Sequence, residues 1–138
     1  FVCIDLATNW NSGVKLMVQS NRNNAVGGLV LGTYSIPSAT ADLNQPATTS
    51  GYGLRVSSLG TPSLGSFTAA SPYDSGTAGS VGQLNGLLGS ATQILSSSGK
   101  VQTGVSSRIA IEAGAKSGNA TAGGNYTDII TFTAYTNI

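Results

Sequence analysis

Apolar and polar residues alternate along several short stretches of the chain, and this two-residue period predicts β-strands with one buried face. The clearest stretches are VKLMVQS and YGLRVSSL. Their apolar sides consist of Val14, Leu16 and Val18, and of Tyr52, Leu54 and Val56. Arg55 falls on the opposite side of the second stretch, which we expect to face solvent.

Shorter apolar runs, separated by turns rich in Gly, Asn, Ser and Pro, predict further strands. LVLGTYSI is predicted to be one short strand that ends at Pro37. Residues 92–96 form another, and a later strand begins near Val105 and covers residues 108–113, with Ile109 and Ile111 on one face. FVCIDLA is apolar on both sides, which suits a strand covered on both faces or one inserted between neighbours.

One stretch has helical spacing instead. In VGQLNGLLGSATQIL the apolar residues recur about every 3.6 positions. The glycines within it destabilise a helix by roughly 1 kcal/mol each relative to alanine. We therefore expect only a short or irregular helix over residues 84–90.

The predicted elements indicate the fold class. About eight short strands at this spacing, without alternating helices, are typical of an all-β domain. A chain of 138 residues is expected to form one domain, residues 1–138. We expect a single immunoglobulin-like or jelly-roll β-sandwich with one short helical segment.

The low charge of the chain bears on which kinds of molecule it is expected to bind. Charged residues make up 8% of the chain and the net charge is +1, so we expect no nucleic acid and no anionic membrane as partners. No apolar run approaches the roughly 18 residues of a membrane-spanning helix, so we expect no membrane insertion. Weak charge repulsion favours self-association, which makes copies of the same chain the expected partner.

The N-terminus carries two further signals. The sequence begins at Phe1 rather than Met, which we interpret as a processed or trimmed chain. Cys3 is the only cysteine, so an intrachain disulfide is excluded. We expect Cys3 to be a small buried apolar residue, with an intermolecular disulfide as the alternative.

Catalytic and metal-binding patterns are missing from the sequence. The chain has no histidine, which removes the commonest general base and zinc ligand. Its acidic residues are scattered, and no P-loop, dinucleotide-binding or nucleophile-elbow motif occurs. Asp74 in SPYDSG is interpreted as a turn residue, with calcium binding as the alternative. We therefore expect neither an enzyme nor a bound cofactor or metal.

Two glycosylation sequons occur near the C-terminus. Asn119 and Asn125 each begin an Asn-x-Thr triplet. In an exported eukaryotic or archaeal protein these asparagines would carry glycans. Asn and Thr are common in this chain, so chance occurrence is the simpler explanation.

The chain closes on its most strand-like stretch, GGNYTDIITFTAYTNI. We expect this last strand to be an interior member of the fold, paired on both sides. The side expected to face the core consists of Tyr126, Ile130, Phe132 and Ala134. Asp128 shares that side, at the polar start of the strand or after a bulge. The side expected to face solvent or a neighbouring subunit consists of Ile129, Thr131, Thr133 and Tyr135.

The spacing of Gly124, Tyr126 and Asp128 before this alternating run, with the preceding SRIAIEAGAKSGNATAGGNYTD, resembles a known ending. It is similar to the last strands of exported bacterial β-sandwich subunits, namely pilins of the chaperone–usher type and spore-coat-U-like domains. The resemblance covers roughly the last quarter of the chain. It implies an extracellular subunit at the cell surface that polymerises by donating strands, with an assembly chaperone or a surface ligand as further partners.

Strand edges give an independent reason to expect polymerisation, because unpaired edges invite a strand from another chain. We expect residues 1–7 to be an inter-subunit strand, with Val2, Ile4 and Leu6 filling a neighbour's groove. The expected function is therefore a structural subunit of an extracellular filament, such as a pilus or fimbria, or of a surface layer. A viral jelly-roll capsid, decoration or tail protein is the alternative, and a carbohydrate-binding module is the third candidate.

Overall fold

A computed structural model describes residues 1–22, 25–44, 50–102, 108–118 and 122–138 of the chain. The protein is all-β, with eleven strands in these ranges. They are β1 (Val2–Ile4), β2 (Val14–Ser20), β3 (Gly28–Leu31), β4 (Tyr34–Pro37), β5 (Ala41–Asp42), β6 (Gly51–Ser58), β7 (Thr68–Ala69), β8 (Ser80–Val81), β9 (Thr92–Ser96), β10 (Ile109–Lys116) and β11 (Ile130–Thr136). Val105, where a strand was expected to begin, lies outside the described residues.

The strands form two larger sheets and two small ones. The larger sheets have the strand orders β1-β10-β6 and β11-β2-β9-β7. The small sheets are the pairs β3-β4 and β5-β8. All of these pairings are antiparallel. Within the described ranges no helix has the length and hydropathy needed to cross a membrane.

Buried residues of both larger sheets belong to one hydrophobic cluster. In β2 and β6 the buried side chains are those that the alternation placed inward. Strand β9 departs from simple alternation, because Ile94 and Leu95 are both fully buried. The β2-β9 register shifts between Leu16 and Met17, and a bulge of this kind turns two consecutive side chains toward the same side.

The expected helix over residues 84–90 is wrong. Leu84 is buried and Asn85 forms a β-bridge with Val26 instead of an intrahelical bond. The Gln19 side-chain amide donates to the carbonyl oxygens of Gly86 and Gly89, both at 2.7 Å. Tertiary hydrogen bonds have therefore overridden a helical spacing that its glycines already weakened.

Three smaller expectations also need correction. LVLGTYSI is not one strand, because Gly32, at φ +56°, lies in a turn that folds it into the β3-β4 hairpin. Cys3 is exposed rather than buried. Arg55 lies opposite the core, but a salt bridge with Glu112 covers it and leaves its side chain only 11% exposed.

The last strand is not an interior member of its sheet in the single chain. Strand β11 lies at the end of the order β11-β2-β9-β7, so it pairs with β2 on one side. Among the described residues, the expectation that both of its sides are paired is therefore wrong. Strand order depends on contacts between distant segments, which alternation along β11 does not report.

Candidate functional site

Asp128 accepts three hydrogen bonds at the point where β2, β6 and the start of β11 meet. Its Oδ1 accepts from the Ser20 hydroxyl at 2.9 Å and from the Ile129 backbone N–H at 2.8 Å, and its Oδ2 accepts from the Tyr52 hydroxyl at 3.2 Å. Burial, and next the charge of Asp128, raise the pKa of the Tyr52 hydroxyl above its usual value.

The hydrogen bonds of this polar cluster join the start of β11 to β2 and β6. Ser20 and Tyr52 are almost fully buried, and no histidine is available to activate the serine. Within the described ranges no three His, Cys, Asp or Glu residues lie close enough to hold a metal ion. The cluster therefore holds the start of β11 against β6. Sequence reasoning placed Asp128 on the inward side of the last strand but did not identify Tyr52 as its partner.

Among the described residues, the open edge of β11 is the longest uncharged strand edge in the two larger sheets. Its seven residues, ITFTAYT, include no charged residue and no proline. The ladder to β2 runs from Ile130 opposite Ser20 to Thr136 opposite Val14 without a shift of register. In the described part of the chain, no other strand pairs with β11. One full row of its backbone N–H and C=O groups is therefore available to another strand.

Successive side chains of β11 project to opposite faces of the strand, and the two faces differ in burial. Tyr126, Ile130 and Phe132 are partly buried and pack against the hydrophobic cluster, whereas Ala134 is exposed. On the other side Thr131 and Thr133 are exposed, and Ile129 and Tyr135 expose 67% and 55% of their surface. The inward side of β11 is thus covered near its start and uncovered near its end.

The predicted assembly strand, β1, is paired within its own chain. Val2, Cys3 and Ile4 lie opposite Ile111, Ala110 and Ile109 of β10. Ile4 and Leu6 pack against the core, whereas Val2 is half exposed. Beyond β1, Thr8 and Val101 exchange two backbone hydrogen bonds of 2.9 Å, which tie the segment down.

Strand β10 is longer than β1, and Val2, the first residue of β1, lies opposite Ile111. Strand β10 has eight residues, and β1 has three. Ala113 and Ala115 lie opposite Leu54 and Tyr52 of β6, which are buried. Directly opposed residues share a face of a sheet, yet both alanines are exposed. The alanines of EAGAK are thus exposed on the side that is buried in β6, which sequence reasoning did not predict.

A groove adjoins this uncovered stretch. It has a volume of about 340 Å³. Its apolar lining includes Leu29, Ile36, Ala115 and Tyr126. The side chain at Tyr126 is fixed by its hydroxyl, which donates to the Ala122 carbonyl oxygen at 2.9 Å. Ser117, Gly123 and Gly124 also line the groove, so its wall is of mixed polarity.

The opposite edge of the same sheet is covered. Ser38 forms a parallel bridge with Tyr52, and Gly82 forms an antiparallel bridge with Leu54. The Val56 N–H donates to the Tyr73 carbonyl oxygen at 2.8 Å. Strand β6 therefore has partners on both sides.

Two further features of the sequence are its glycosylation sequons and its single tryptophan. Asn125 is exposed, and Asn119 lies outside the described residues. Trp10 is half exposed and lines a groove of about 310 Å³ with Asn9, Asn11, Ser12 and Lys100. Neither Tyr34 nor Tyr135 contributes to that groove, so the row of aromatic side chains that favours a carbohydrate-binding module is not found there.

Comparison of the chain with models of known protein families, with curated proteins and with solved structures gives no match.

Proposed function

We propose that this protein is a structural subunit that polymerises with copies of itself by pairing β-strands across subunits. The open edge of β11 carries the proposal. In the described residues this seven-residue strand pairs on one side only and includes no charged residue, proline or register shift. Charged residues, prolines and register shifts are features by which proteins keep edge strands from pairing with other chains. The described β11 strand has none of them.

The other edges of the two larger sheets contrast with β11. Strand β7 has two residues and β1 has three, and such short edges offer few backbone groups. Four exposed apolar side chains lie at the two outer strands: Phe1, Val2, Ile129 and Tyr135 each expose half or more of their surface. Exposed apolar groups beside an unpaired edge favour burial against another chain.

The proposed domain is a β-sandwich. Its two layers are the sheets β1-β10-β6 and β11-β2-β9-β7. The support for this arrangement is that buried side chains of both sheets belong to one cluster, as expected for two sheets that pack face to face. Such a layer arrangement leaves strand edges at the sides of the domain, where subunits join.

The proposed product is an extracellular filament, of the pilus or fimbria kind, or a surface layer. A chain with 8% charged residues and net charge +1 has little electrostatic repulsion between copies. Cells that make such a subunit need to cover the β11 edge before assembly, so an assembly chaperone is a proposed partner. A ligand on another surface is the other proposed partner.

The test places charge on the open edge. The double variant Thr131→Lys/Thr133→Lys changes two exposed residues of β11, and Thr33→Lys/Thr77→Lys changes two exposed residues in turns. Each variant is compared with the unmodified chain by negative-stain microscopy and sedimentation velocity over a range of concentrations.

We expect the unmodified chain and the turn variant to assemble and the β11 variant to remain monomeric. The free energy of unfolding should change by less than about 0.5 kcal/mol in both variants, because all four positions are exposed. An unmodified chain that stays monomeric at every concentration would overturn the proposal. So would normal assembly of the β11 variant.

A further inference from the structure

We propose that the groove around Trp10 binds a carboxylate-bearing sugar, such as a uronic or sialic acid unit of a glycan. This Trp10 groove has a volume of about 310 Å³ and is lined by residues 9–12 and Lys100. Small-molecule sites usually enclose about 300–1,000 Å³, so the groove suits a single sugar unit. The site is complete within one copy, and neither Phe1 nor Ile138 lines it. The inference therefore goes beyond the proposed polymer and does not depend on it.

The first argument concerns the exposure of the indole ring. Trp10 leaves 51% of its surface in water. Covering such a large apolar surface with a ligand is favourable. One flat face of a sugar ring carries mainly C–H groups, and an aromatic ring offers a flat apolar surface on which that face can pack. The exposed ring is therefore suited to hold a sugar.

The second argument concerns the backbone that carries the ring. The Trp10 N–H donates to Thr8 Oγ1 at 3.1 Å, and the Gly13 N–H donates to the Trp10 carbonyl oxygen at 3.1 Å. The second bond closes a four-residue turn over residues 10–13. Thr8 also exchanges two backbone hydrogen bonds of 2.9 Å with Val101, which follows Lys100. Because hydrogen bonds fix both segments beforehand, binding a ligand costs less conformational entropy.

The third argument concerns the polar side chains around the ring. Asn9, Asn11 and Ser12 are exposed. Among the described residues, none of these side chains has a hydrogen-bonding partner. An asparagine amide supplies both donors and an acceptor, and a serine hydroxyl also donates and accepts. Sugar hydroxyls do both as well, so these side chains are able to bond neighbouring hydroxyls of one ring.

The fourth argument concerns charge. Lys100 is exposed, and within the described ranges it forms no ion pair. In the same part of the chain, no acidic residue lines the groove. The ammonium group therefore favours a ligand with a negative charge, and a carboxylate accepts a charge-assisted hydrogen bond from it. This charge is the reason to propose an acidic sugar rather than a neutral one.

Other ligand classes fit the groove less well. Nucleic acids need several basic side chains beside their phosphates, and of the described residues only Lys100 brings a positive charge to the groove. An apolar ligand or a membrane surface would need apolar side chains next to Trp10, whereas the other lining residues are polar. Because the groove has no row of aromatic rings, the proposed ligand is one sugar unit of a glycan and not a long polysaccharide.

The first test uses the fluorescence of Trp10. This residue is the only tryptophan in the chain, so emission excited where tyrosine does not absorb reports the groove alone. The probes are glucuronate, galacturonate and N-acetylneuraminate. Glucose and galactose are the uncharged counterparts of the first two, sodium acetate is the control for a carboxylate alone, and a short single-stranded oligonucleotide represents nucleic acid. The unmodified chain and the Thr131→Lys/Thr133→Lys variant are both titrated, which separates sugar binding from assembly.

We expect at least one acidic sugar to change the Trp10 emission saturably, in both proteins and at lower concentration than its neutral counterpart. Acetate should have no such effect. Lys100→Gln should weaken binding of the acidic sugar about fivefold and leave the neutral sugar unaffected. Lys15→Gln, which changes an exposed lysine of β2 outside the groove, should alter neither.

Three results of this titration would overturn the inference. They are the absence of a saturable change with every acidic sugar, a stronger response to the oligonucleotide than to any sugar, and equal effects of the two lysine variants. Assembly is measured separately by microscopy and sedimentation, so a failed titration leaves the proposed polymer untouched. Likewise, a chain that never assembles leaves the sugar site standing if the titration succeeds.

A matched pair of aromatic variants tests the ring. Trp10→Ala and Tyr34→Ala remove side chains of similar exposure, 51% and 56%. Tyr34 belongs to β4 and does not line the groove. Binding is measured by saturation-transfer NMR of the sugar, which needs no tryptophan. Trp10→Ala should weaken binding at least about tenfold, and Tyr34→Ala should leave it unchanged. Equal binding by the two variants would overturn the assignment of the sugar to Trp10.

Discussion

The Tyr52 hydroxyl donates a hydrogen bond of 3.2 Å to Asp128, and this contact links β6 in one large sheet to the residues that begin β11 in the other. Asp128 also accepts a hydrogen bond from Ser20 at the end of β2. The carboxylate therefore fixes the position from which the open edge of β11 starts. Because Tyr52 and Ser20 are buried, loss of the carboxylate would leave buried hydroxyl groups without their acceptor.

The first prediction concerns the dependence of stability on pH. Burial, and then Asp128, raise the pKa of Tyr52 in the folded protein. In the unfolded chain the tyrosine ionises near pH 10. The resulting stabilisation is complete below that pH and is lost as the pH rises toward the folded-state pKa. Denaturant unfolding between pH 8 and pH 11 should therefore show a steeper loss for the unmodified chain than for Tyr52→Phe.

The Tyr52→Phe variant also serves as the control for other ionisations. Burial raises the pKa of Tyr73 as well, and that contribution is the same in both proteins. At neutral pH the variant should lose about 1.5–3 kcal/mol of unfolding free energy, the net value of a hydrogen bond to a charged group. Parallel pH curves for the two proteins would contradict the role given to Tyr52.

The second prediction concerns the two sides of β11. Phe132 is partly buried against the core, so Phe132→Ala should cost about 2–3 kcal/mol, below the 3–5 kcal/mol typical of a fully buried phenylalanine. Thr131 is exposed, and Thr131→Ala should cost less than about 0.5 kcal/mol. Unfolding is measured at concentrations where the protein is monomeric. Equal losses would mean that the inward side of β11 is assigned incorrectly.

The third prediction asks where β1 lies in the assembled protein. Cys3 stands opposite Ala110 of β10, and directly opposed residues of antiparallel strands are close enough for a disulfide. Oxidation of Ala110→Cys should therefore give a disulfide within one chain, seen by mass spectrometry and non-reducing electrophoresis. Ala113→Cys, which has no β1 residue opposite, is the control. Disulfide-linked dimers of the Ala110→Cys variant would show that β1 is exchanged between copies.

The fourth prediction concerns the covered edge of β6. A methyl group added at Gly53 would overlap the Gly82 carbonyl oxygen and press on Val81. Gly53→Ala should therefore cost about 1–3 kcal/mol, the usual effect of overpacking. Gly76 has no neighbour within 4 Å of an added methyl group, so Gly76→Ala should be neutral or slightly stabilising. A similar loss in both variants would indicate that the Gly53–Gly82 contact does not constrain the edge.

Local alternation was enough to predict the all-β class and the buried sides of β2 and β6. The prediction was correct for these strands because only one face of each lies against the core. Apolar and polar residues therefore alternate along them with a period of two. It did not predict the bulge that buries both Ile94 and Leu95, since a bulge depends on the partner strand. The helical spacing around Leu84 failed for a related reason, because the Asn85 carbonyl oxygen accepts from the distant Ser20 N–H at 2.8 Å.

The candidate site was harder to predict than the fold class. The last strand was identified, but its place at the edge of a sheet depends on the order of strands that are far apart in the sequence. The uncovered alanines of β10 became visible only when Leu54 and Tyr52 were found buried opposite them. Whether a strand lies at an edge depends on which other strands pair with it. The residue pattern within one strand does not show this.

Main-chain groups form the pairing along β11, and every residue type except proline supplies the same donor and acceptor. Exposed positions such as Thr131 and Thr133 are therefore free to change, provided that the new residue is neither charged nor proline. In the proposed polymer, surface side chains can diversify while the joints between subunits are preserved. Variants of this chain with different outer faces would then be able to join one polymer.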